Sequence, residues 1–403
     1  MAKQTAMTVA ELEPSMTGSG QMLPAAAYTD PEVLAWENEH VFADGWVSIG
    51  QAGSFAKTGD RRAYQVGGEG ILVVLGSDGR LRGFYNSCRH RGHELLPAGG
   101  EASGSMIRCP YHAWVFTPEG NLRGVPPTHE GDVTDLSQHS LVPVALELWN
   151  GHIMVNMSGD APPLAEYFDG LDDILGHFGI DDLVVAETHS YTIEANWKLI
   201  VENYHECFHC PTVHPELSLV SDTEAGVSVF GDGLFFGGTN DFRDGVQTMS
   251  LDGTSGGVPI PGVPHKYRRT TVYLQVGPNL LVSMHPDYVM IHRLIPLAPD
   301  RTFVECQWLF PADAFEKAGF DPAYAVDFWD ITNRQDWTAC ESVQRGVASR
   351  GYRPGPLSSY HEVGVRLFTQ WLATAYATGV VSSRAREMLT AEQLEALAFP
   401  VDS

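Results

Sequence analysis

The sequence predicts an α+β protein with two unlike halves: a small all-β domain, then a larger domain in which helices flank an antiparallel sheet. Three observations carry this expectation. Short alternating segments separated by turn signals run from Trp46 to about Met157, a proline-bearing stretch follows, and from about Asp182 strand patterns mix with long helical ones. A chain of 403 residues can bury two sizeable cores, and a composition of 43% hydrophobic and 19% charged residues is that of a globular protein.

The first segment, MAKQTAMTVAELEPSMTGSGQM, has neither an apolar signal core nor an Arg-rich amphipathic pattern, and reads as a frayed leader on a cytoplasmic protein. Thr29-Asp30-Pro31 then caps a short helix running to about Phe42, with proline in the first turn where its missing N–H costs nothing. Residues 1–42 are therefore set apart as leader and helix. In residues 43–160, RAYQV, ILVVL, LRGFYN and GHIMVNM read as strands, punctuated by Gly67-Gly68, Ser77-Asp78-Gly79 and Pro118-Glu119-Gly120. The stretch SGDAPPLAEYFDGLDDILGHFG supplies a linker and a short helix. In residues 180–400, TVYLQV, LLVSMH, YVMIHRLIPL and FVECQWLF are strands, and helices are expected from about Trp197 to His209, Pro322 to Arg345 and Glu362 to Tyr376. No run approaches the roughly twenty apolar residues of a membrane span.

The formal net charge of −25 argues against nucleic acid and anionic membranes as partners, and favours a basic redox partner or a cationic substrate. Six cysteines in so long a chain do not make a disulfide framework.

The most specific signal is Cys88-Arg89-His90 followed, eighteen residues on, by Cys109-Pro110-Tyr111-His112. Two Cys and two His in this paired order suit a [2Fe-2S] cluster with thiolates on one iron and imidazoles on the other. Structural zinc uses the same donors, but in finger-type sites the gap is shorter. A second constellation lies about a hundred residues downstream, in Asn196-Trp-Lys-Leu-Ile-Val-Glu-Asn-Tyr-His-Glu-Cys-Phe-His-Cys-Pro-Thr-Val-His214. On a helix Glu206 and His209 share a face, whereas His214 falls roughly 140° round it. Pro211 is expected to break that helix and let His209 and His214 face one centre, two sides of a 2-His-1-carboxylate site for non-haem Fe(II). His205 is a weaker candidate, pointing to one side. Cys207 and Cys210, interleaved with these residues, read as small buried packing residues. The carboxylate must come from elsewhere, with Asp336 and Glu341 the two candidates in Asn333-Arg-Gln-Asp-Trp-Thr-Ala-Cys-Glu.

Cys-x-His with Cys-x-x-His, then Glu-Asn-Tyr-x-Glu-x-Phe-His-x-x-x-x-His and a late Gln-Asp-Trp, resembles the large (α) subunit of Rieske non-haem iron oxygenases from about Trp46 to Trp371. The resemblance implies an all-β Rieske domain and a catalytic domain, with Cys88, His90, Cys109 and His112 holding the cluster. It assigns the mononuclear Fe(2+) to His209, His214 and Asp336. It further implies a homotrimer in which Glu206 bridges a cluster histidine of one subunit to an iron histidine of the next, and a separate NAD(P)H-dependent flavin and iron–sulfur reductase. No strand-linked Gly-x-Gly-x-x-Gly is present for the chain to bind nicotinamide itself.

Much of the family has Asp at the bridging position. Glu206, within Glu-Cys-Phe-His-Cys, is instead similar to the branch that oxidises quaternary amines such as betaines and carnitine. Members of that branch hydroxylate an N-methyl group or an adjacent carbon, and the implied activity here is hydroxylation of an N-methyl group with release of formaldehyde. An aromatic-ring or aromatic-acid hydroxylase of the same fold is the alternative, and an electron carrier that kept only the cluster is the third reading. A trimethylammonium substrate calls for aromatic walls. Tyr204, Phe208, Tyr288, Trp308 and Trp337 lie in segments near the ligands, and each taken singly reads as core.

Overall fold

The computed structural model describes the whole chain except residues 1–6, 18–19, 128–130, 132, 224–227, 231–232 and 382–403. The chain divides into two compact units, Glu37–Pro162 and a larger one made of Met1–Trp36 with Pro163–Ser403.

The N-terminal segment opens with helices α1 (Val9–Met16), α2 (Ala25–Thr29) and α3 (Pro31–Glu37), the last continuing as a π-helical turn to Ala43. The leader reading thus gives way to a folded segment grouped with the larger unit. Its signal was Thr8-x-x-Glu11: the Thr8 hydroxyl accepts the Glu11 N–H at 3.3 Å and the Glu11 carboxylate accepts the Thr8 N–H at 2.8 Å, a reciprocal cap. Leu12 is fully buried. The Tyr28 hydroxyl donates to Glu202 at 2.7 Å, and its carbonyl accepts from Asn196 and Gln344, tying the segment into the larger unit.

The smaller unit contains β1 (Val47–Gln51), β2 (Arg61–Val66), β3 (Glu69–Leu75), β4 (Leu81–Tyr85), β5 (Glu101–Ala102), β6 (Ile107–Arg108), β7 (Val115–Phe116), β8 (Leu122–Gly124), β9 (Pro143–Trp149) and β10 (His152–Asn156). Seven form one antiparallel sheet in the order β1-β10-β9-β4-β3-β2-β5, and β6-β7-β8 form a small second one. Leu72, Val74, Phe84, Ile107, Trp114 and Phe116 pack around Cys88 and Cys109, so the thiols sit inside the core.

The larger unit continues with α4 (Leu164–Tyr167), α5 (Asp172–Leu175), β11 (Leu183–Ile193), α6 (Trp197–Tyr204), α7 (Cys210–Val213), α8 (Pro215–Val220), β12 (Ser221–Asp222), β13 (Ser228–Phe230), β14 (Phe235–Phe242), β15 (Thr270–Val276), β16 (Leu280–Met284), β17 (Val289–Ala298), β18 (Arg301–Pro311), α9 (Ala323–Val347) and α10 (Val363–Thr378). The strands make an eight-stranded sheet ordered β11-β18-β17-β16-β15-β14-β12, with β13 on β14. This is the expected helix-flanked antiparallel sheet. No helix among the described residues is long and apolar enough to cross a membrane.

One helix boundary differs from expectation. The helix expected to reach His209 ends at Tyr204, because the His205 N–H already closes onto Glu202 and Val201 while its ring turns to Gln275 at 2.8 Å. Pro211 therefore breaks nothing. It sits in the first turn of α7, where a proline needs no N–H partner.

Candidate active site

Cys88 and His90 lie on the turn after β4, Cys109 and His112 on the turn joining β6 to β7. The two turns share one hydrogen-bond plan. Each cysteine N–H donates to a carbonyl five residues on, Cys88 to His93 at 2.9 Å and Cys109 to Trp114 at 2.8 Å, and each cysteine carbonyl accepts from Gly92 or Ala113, four residues on. Gly92 and Ala113 both take a left-handed backbone, φ 72° and 56°. For alanine that is strained, and such strain persists where surrounding structure fixes it.

Cys88 and Cys109 are buried and not disulfide-bonded. The His90 and His112 rings meet edge-on with centroids 4.7 Å apart, and His90 stacks on Trp114. His112 Nδ1 is buried without a hydrogen-bond partner among the described residues. Burial pushes the Cys88 thiol up to about 11, so a thiolate there needs a cation beside it. Two buried thiols and two adjacent imidazoles, one with an orphaned nitrogen, fit a [2Fe-2S] cluster of the Rieske donor set.

In the larger unit three donors from distant stretches converge. His214 Nε2 lies 2.9 Å from Asp336 Oδ1 and 3.1 Å from His209 Nε2, and His209 Nε2 lies 3.3 Å from Asp336 Oδ1. Ligands about 2.1 Å from one ion, in neighbouring positions, stand roughly 3 Å apart, so this triangle fits a single metal. Two imidazoles and one carboxylate on one face leave positions open for dioxygen, the pattern of non-haem Fe(II). Each imidazole is oriented through its other nitrogen: His214 Nδ1 is 2.7 Å from Gln335 Oε1, and His209 Nδ1 bonds the Glu206 carboxylate. Glu206 also accepts the His209 N–H at 3.0 Å, which pins the α6–α7 turn.

Burial alone would lower the His209 pKa, but hydrogen bonds to Asp336 and Glu206 outweigh it and push it up to about 10. Burial would likewise raise Asp336, yet His209 and His214 hold it below the usual carboxylate range. The site is thus built around a positive charge. Glu341 is not part of it and accepts the Glu194 N–H at 3.3 Å instead. His205 lines the cavity described below but is not one of the three donors: its ring turns to Gln275, and burial pushes its pKa down to about 4. Cys207 and Cys210 are joined as a disulfide spanning His209, which corrects the packing reading. The pairing was legible in Cys-x-x-Cys once the helix was known to stop short of it.

Above the triad lies a cavity of about 120 Å³. Its floor follows one cross-strand row, Gly238–Tyr273–Ser283–Met290, set by the register of β14, β15, β16 and β17. Its wall is one face of α9, where Trp329, Thr332, Asn333, Asp336 and Trp337 recur at helical spacing. Of the aromatics singled out in sequence, Tyr204 and Trp337 line the cavity, Tyr288 and Trp308 are core, and Phe208 is exposed and stacked on His361. Tyr273 in the floor and Trp329 in the wall complete the aromatic lining, and no local pattern marked them. No Lys or Arg lines the cavity among the described residues.

Residues 45–144 match the Rieske [2Fe-2S] domain family, and residues 180–378 match the ring hydroxylating alpha subunit (catalytic domain). The chain is 32% identical to the glycine betaine monooxygenase oxygenase subunit of Chromohalobacter salexigens, over 87% of this chain and 84% of that one. It is 37% identical to the carnitine monooxygenase oxygenase subunit of Acinetobacter baumannii, over 82% and 86%. Among solved structures, the quaternary ammonium Rieske monooxygenase CntA with L-carnitine superposes with a TM-score of 0.73 at 25% identity, covering 92% of this chain and 99% of that one. Naphthalene 1,2-dioxygenase from Rhodococcus sp. shares the fold, with a TM-score of 0.73 at 21% identity over 92% and 97%.

Proposed function

The chain belongs to the Rieske non-haem iron oxygenase family and carries both of its domains, and we propose that it is the terminal oxygenase that hydroxylates an N-methyl group of a quaternary, betaine-type amine. The observation that carries this is the cavity itself: the His209, His214 and Asp336 donors open onto a space lined by the rings of Tyr204, Tyr273, Trp329 and Trp337 and by no Lys or Arg among the described residues. A trimethylammonium group over ring faces gains roughly 0.5 to 2 kcal/mol per contact, and more when desolvated. The relatives named for glycine betaine and carnitine support the same reading.

The chain's acids and imidazoles have distinct parts. Cys88, His90, Cys109 and His112 hold the cluster, and His209, His214 and Asp336 hold the mononuclear iron. When bound, the cluster supplies electrons and the mononuclear iron activates dioxygen. The aromatic rings fix the cationic head so that one methyl faces the triad. Insertion of one oxygen atom into an N-methyl C–H bond gives a carbinolamine. It collapses to formaldehyde and the demethylated amine, while the other oxygen atom leaves as water with two electrons and two protons.

Those electrons come from NAD(P)H through a separate flavin and iron–sulfur reductase. Glu206, bonded to His209, is the carboxylate through which the cluster of a neighbouring subunit connects to the iron in a homotrimer. A solved quaternary ammonium Rieske monooxygenase, 25% identical to this chain, is described in terms of inter-subunit electron transfer. A cytoplasmic location fits this dependence on NAD(P)H.

The test is a single-turnover reaction of the iron-loaded, chemically reduced protein with O2 against betaines, carnitine, choline and simple aromatic acids, which bypasses the reductase. Formaldehyde from one quaternary amine is the expected result. Hydroxylated aromatic product without formaldehyde would keep the fold and metals but replace the substrate class.

A further inference from the structure

A further donor lies beside His209 and His214 that the iron site does not use. Cys210 Sγ and one nitrogen from each of the two imidazoles all lie within 4.8 Å of one another. Sulfur and nitrogen donors around one tetrahedral zinc ion stand roughly 3.5 Å apart, so the set closes with about 1 Å of movement. Cys210 is buried, its sulfur is bonded to Cys207, and both cysteines line the cavity together with the two histidines. The thiolate is a metal ligand, whereas a disulfide sulfur carries no charge to offer. Backbone bonds hold Cys210 in place whether or not the bridge stands. Its N–H donates to the Cys207 carbonyl at 3.1 Å, its carbonyl accepts the His214 N–H at 2.9 Å, and the His209 carbonyl accepts from Thr212 and Val213 at 2.9 and 3.0 Å.

We propose that the Cys207–Cys210 pair is a redox gate on a second metal set. As a disulfide it leaves the site to His209, His214 and Asp336; once reduced, it lets the Cys210 thiolate join the same two histidines around a thiophilic divalent ion of the zinc class. The proposal rests on His209 and His214 as mononuclear ligands and is independent of the substrate class. Zinc outranks iron(II) at most nitrogen and oxygen donor sets, and a thiolate widens the gap. The opening step is exchange with a dithiol. One thiolate of the dithiol attacks Sγ of Cys207, which is half-buried where Cys210 is buried. The Sγ–Sγ bond breaks and its electron pair leaves on Cys210 as thiolate. The second thiolate of the dithiol then resolves the mixed disulfide, so that the dithiol closes on itself as a disulfide. Of its two protons, one goes to Cys207 and the other to solvent as Cys210 takes the metal.

The experiment uses the full-length protein with its cluster intact and its mononuclear site emptied by a chelator. One half is treated with dithiothreitol and desalted under argon, and each half is dialysed against buffered Fe(II) or Zn(II) and its bound metal counted. The treated half is expected to bind zinc about tenfold tighter or more, since even an outer partner of a metal ligand is worth that much. Zinc X-ray absorption should show one sulfur at about 2.3 Å in the treated half alone. Cys207→Ser and Cys210→Ser both lose the bridge, but only the first keeps the thiol beside the histidines. Cys207→Ser should hold zinc through sulfur without dithiothreitol, and Cys210→Ser should show neither sulfur scattering nor a response to it. Untreated protein that takes up no Fe(II) beyond the cluster overturns the histidine site and the gate together. Iron uptake with an unchanged zinc affinity, zinc bound without sulfur, or identical behaviour of the two variants overturns the gate alone. The comparison of treated with untreated parent protein decides the matter even if a variant fails to fold.

Discussion

His214 and Gln335, separated by 121 positions in sequence, meet at 2.7 Å through Nδ1 and Oε1, and the residue after Gln335 is Asp336, whose carboxylate lies 2.9 Å from the other nitrogen of the same imidazole. Two consecutive residues of α9 therefore grip both edges of His214. One sets the tautomer, and the other completes the donor triangle. Gln335 is itself held by donating to Glu216 at 3.1 Å, on α8 just beyond His214.

This grip makes Gln335 a positioning residue with a measurable share of metal affinity. Gln335→Leu is expected to weaken mononuclear iron binding about 10- to 100-fold, the usual cost of losing the partner of a metal-bound imidazole, while cluster absorbance stays unchanged. Unaltered iron affinity in equilibrium dialysis would show that His214 is oriented by other means.

Glu206→Gln should retain both metals, since neither set of ligands includes Glu206, but should slow substrate-dependent reoxidation of the reduced cluster by at least about tenfold. Stopped-flow absorbance of the cluster reads this directly. Normal reoxidation would remove Glu206 from the electron path.

Glu202 supplies a pH dependence away from the metals. Burial, opposed by its hydrogen bond to Tyr28 and by nearby Lys198, raises its pKa to about 8 from the ordinary 4.5. The folded protein therefore keeps a proton that the unfolded chain releases. The stability this contributes is full below about pH 4.5 and is lost as pH rises through about 8. Glu202→Gln should melt above the parent protein at about pH 8.5, with the gap narrowing toward about pH 5. A gap independent of pH would contradict a neutral Glu202.

The Cys207–Cys210 bond fixes a thiol count. Denatured, metal-stripped protein should titrate four thiols before reduction, from Cys88, Cys109, Cys306 and Cys340, and six after it. Six thiols in the unreduced protein would mean that the pair is open.

What was legible in the sequence was whatever local spacing encodes. Cys88 to His112 needs only two turns, and His209 and His214 need only one, so their donor chemistry was visible without a fold. Asp336 against Glu341 could not be decided from spacing, because both lie on one helix and only its packing shows which one faces the histidines. Tyr273 and Trp329 were hidden for the same reason, as the register of β15 and the rotation of α9 select them. The end of α6 was misplaced because no glycine or proline marks it; a half-buried His205 that turns to Gln275 does the work of a breaker. The folded N-terminus was announced by Thr8-x-x-Glu11 and passed over because an amphipathic run so short is marginal without the surface it packs on.

The decisive measurement is the iron content and visible spectrum of Asp336→Ala beside the parent protein. If the two metal centres are distinct and Asp336 completes the second, the variant should lose one iron per chain, keep the cluster spectrum and release no formaldehyde. Loss of the cluster absorbance, or an iron content equal to the parent's, would contradict the assignment of His209, His214 and Asp336 as a separate mononuclear site.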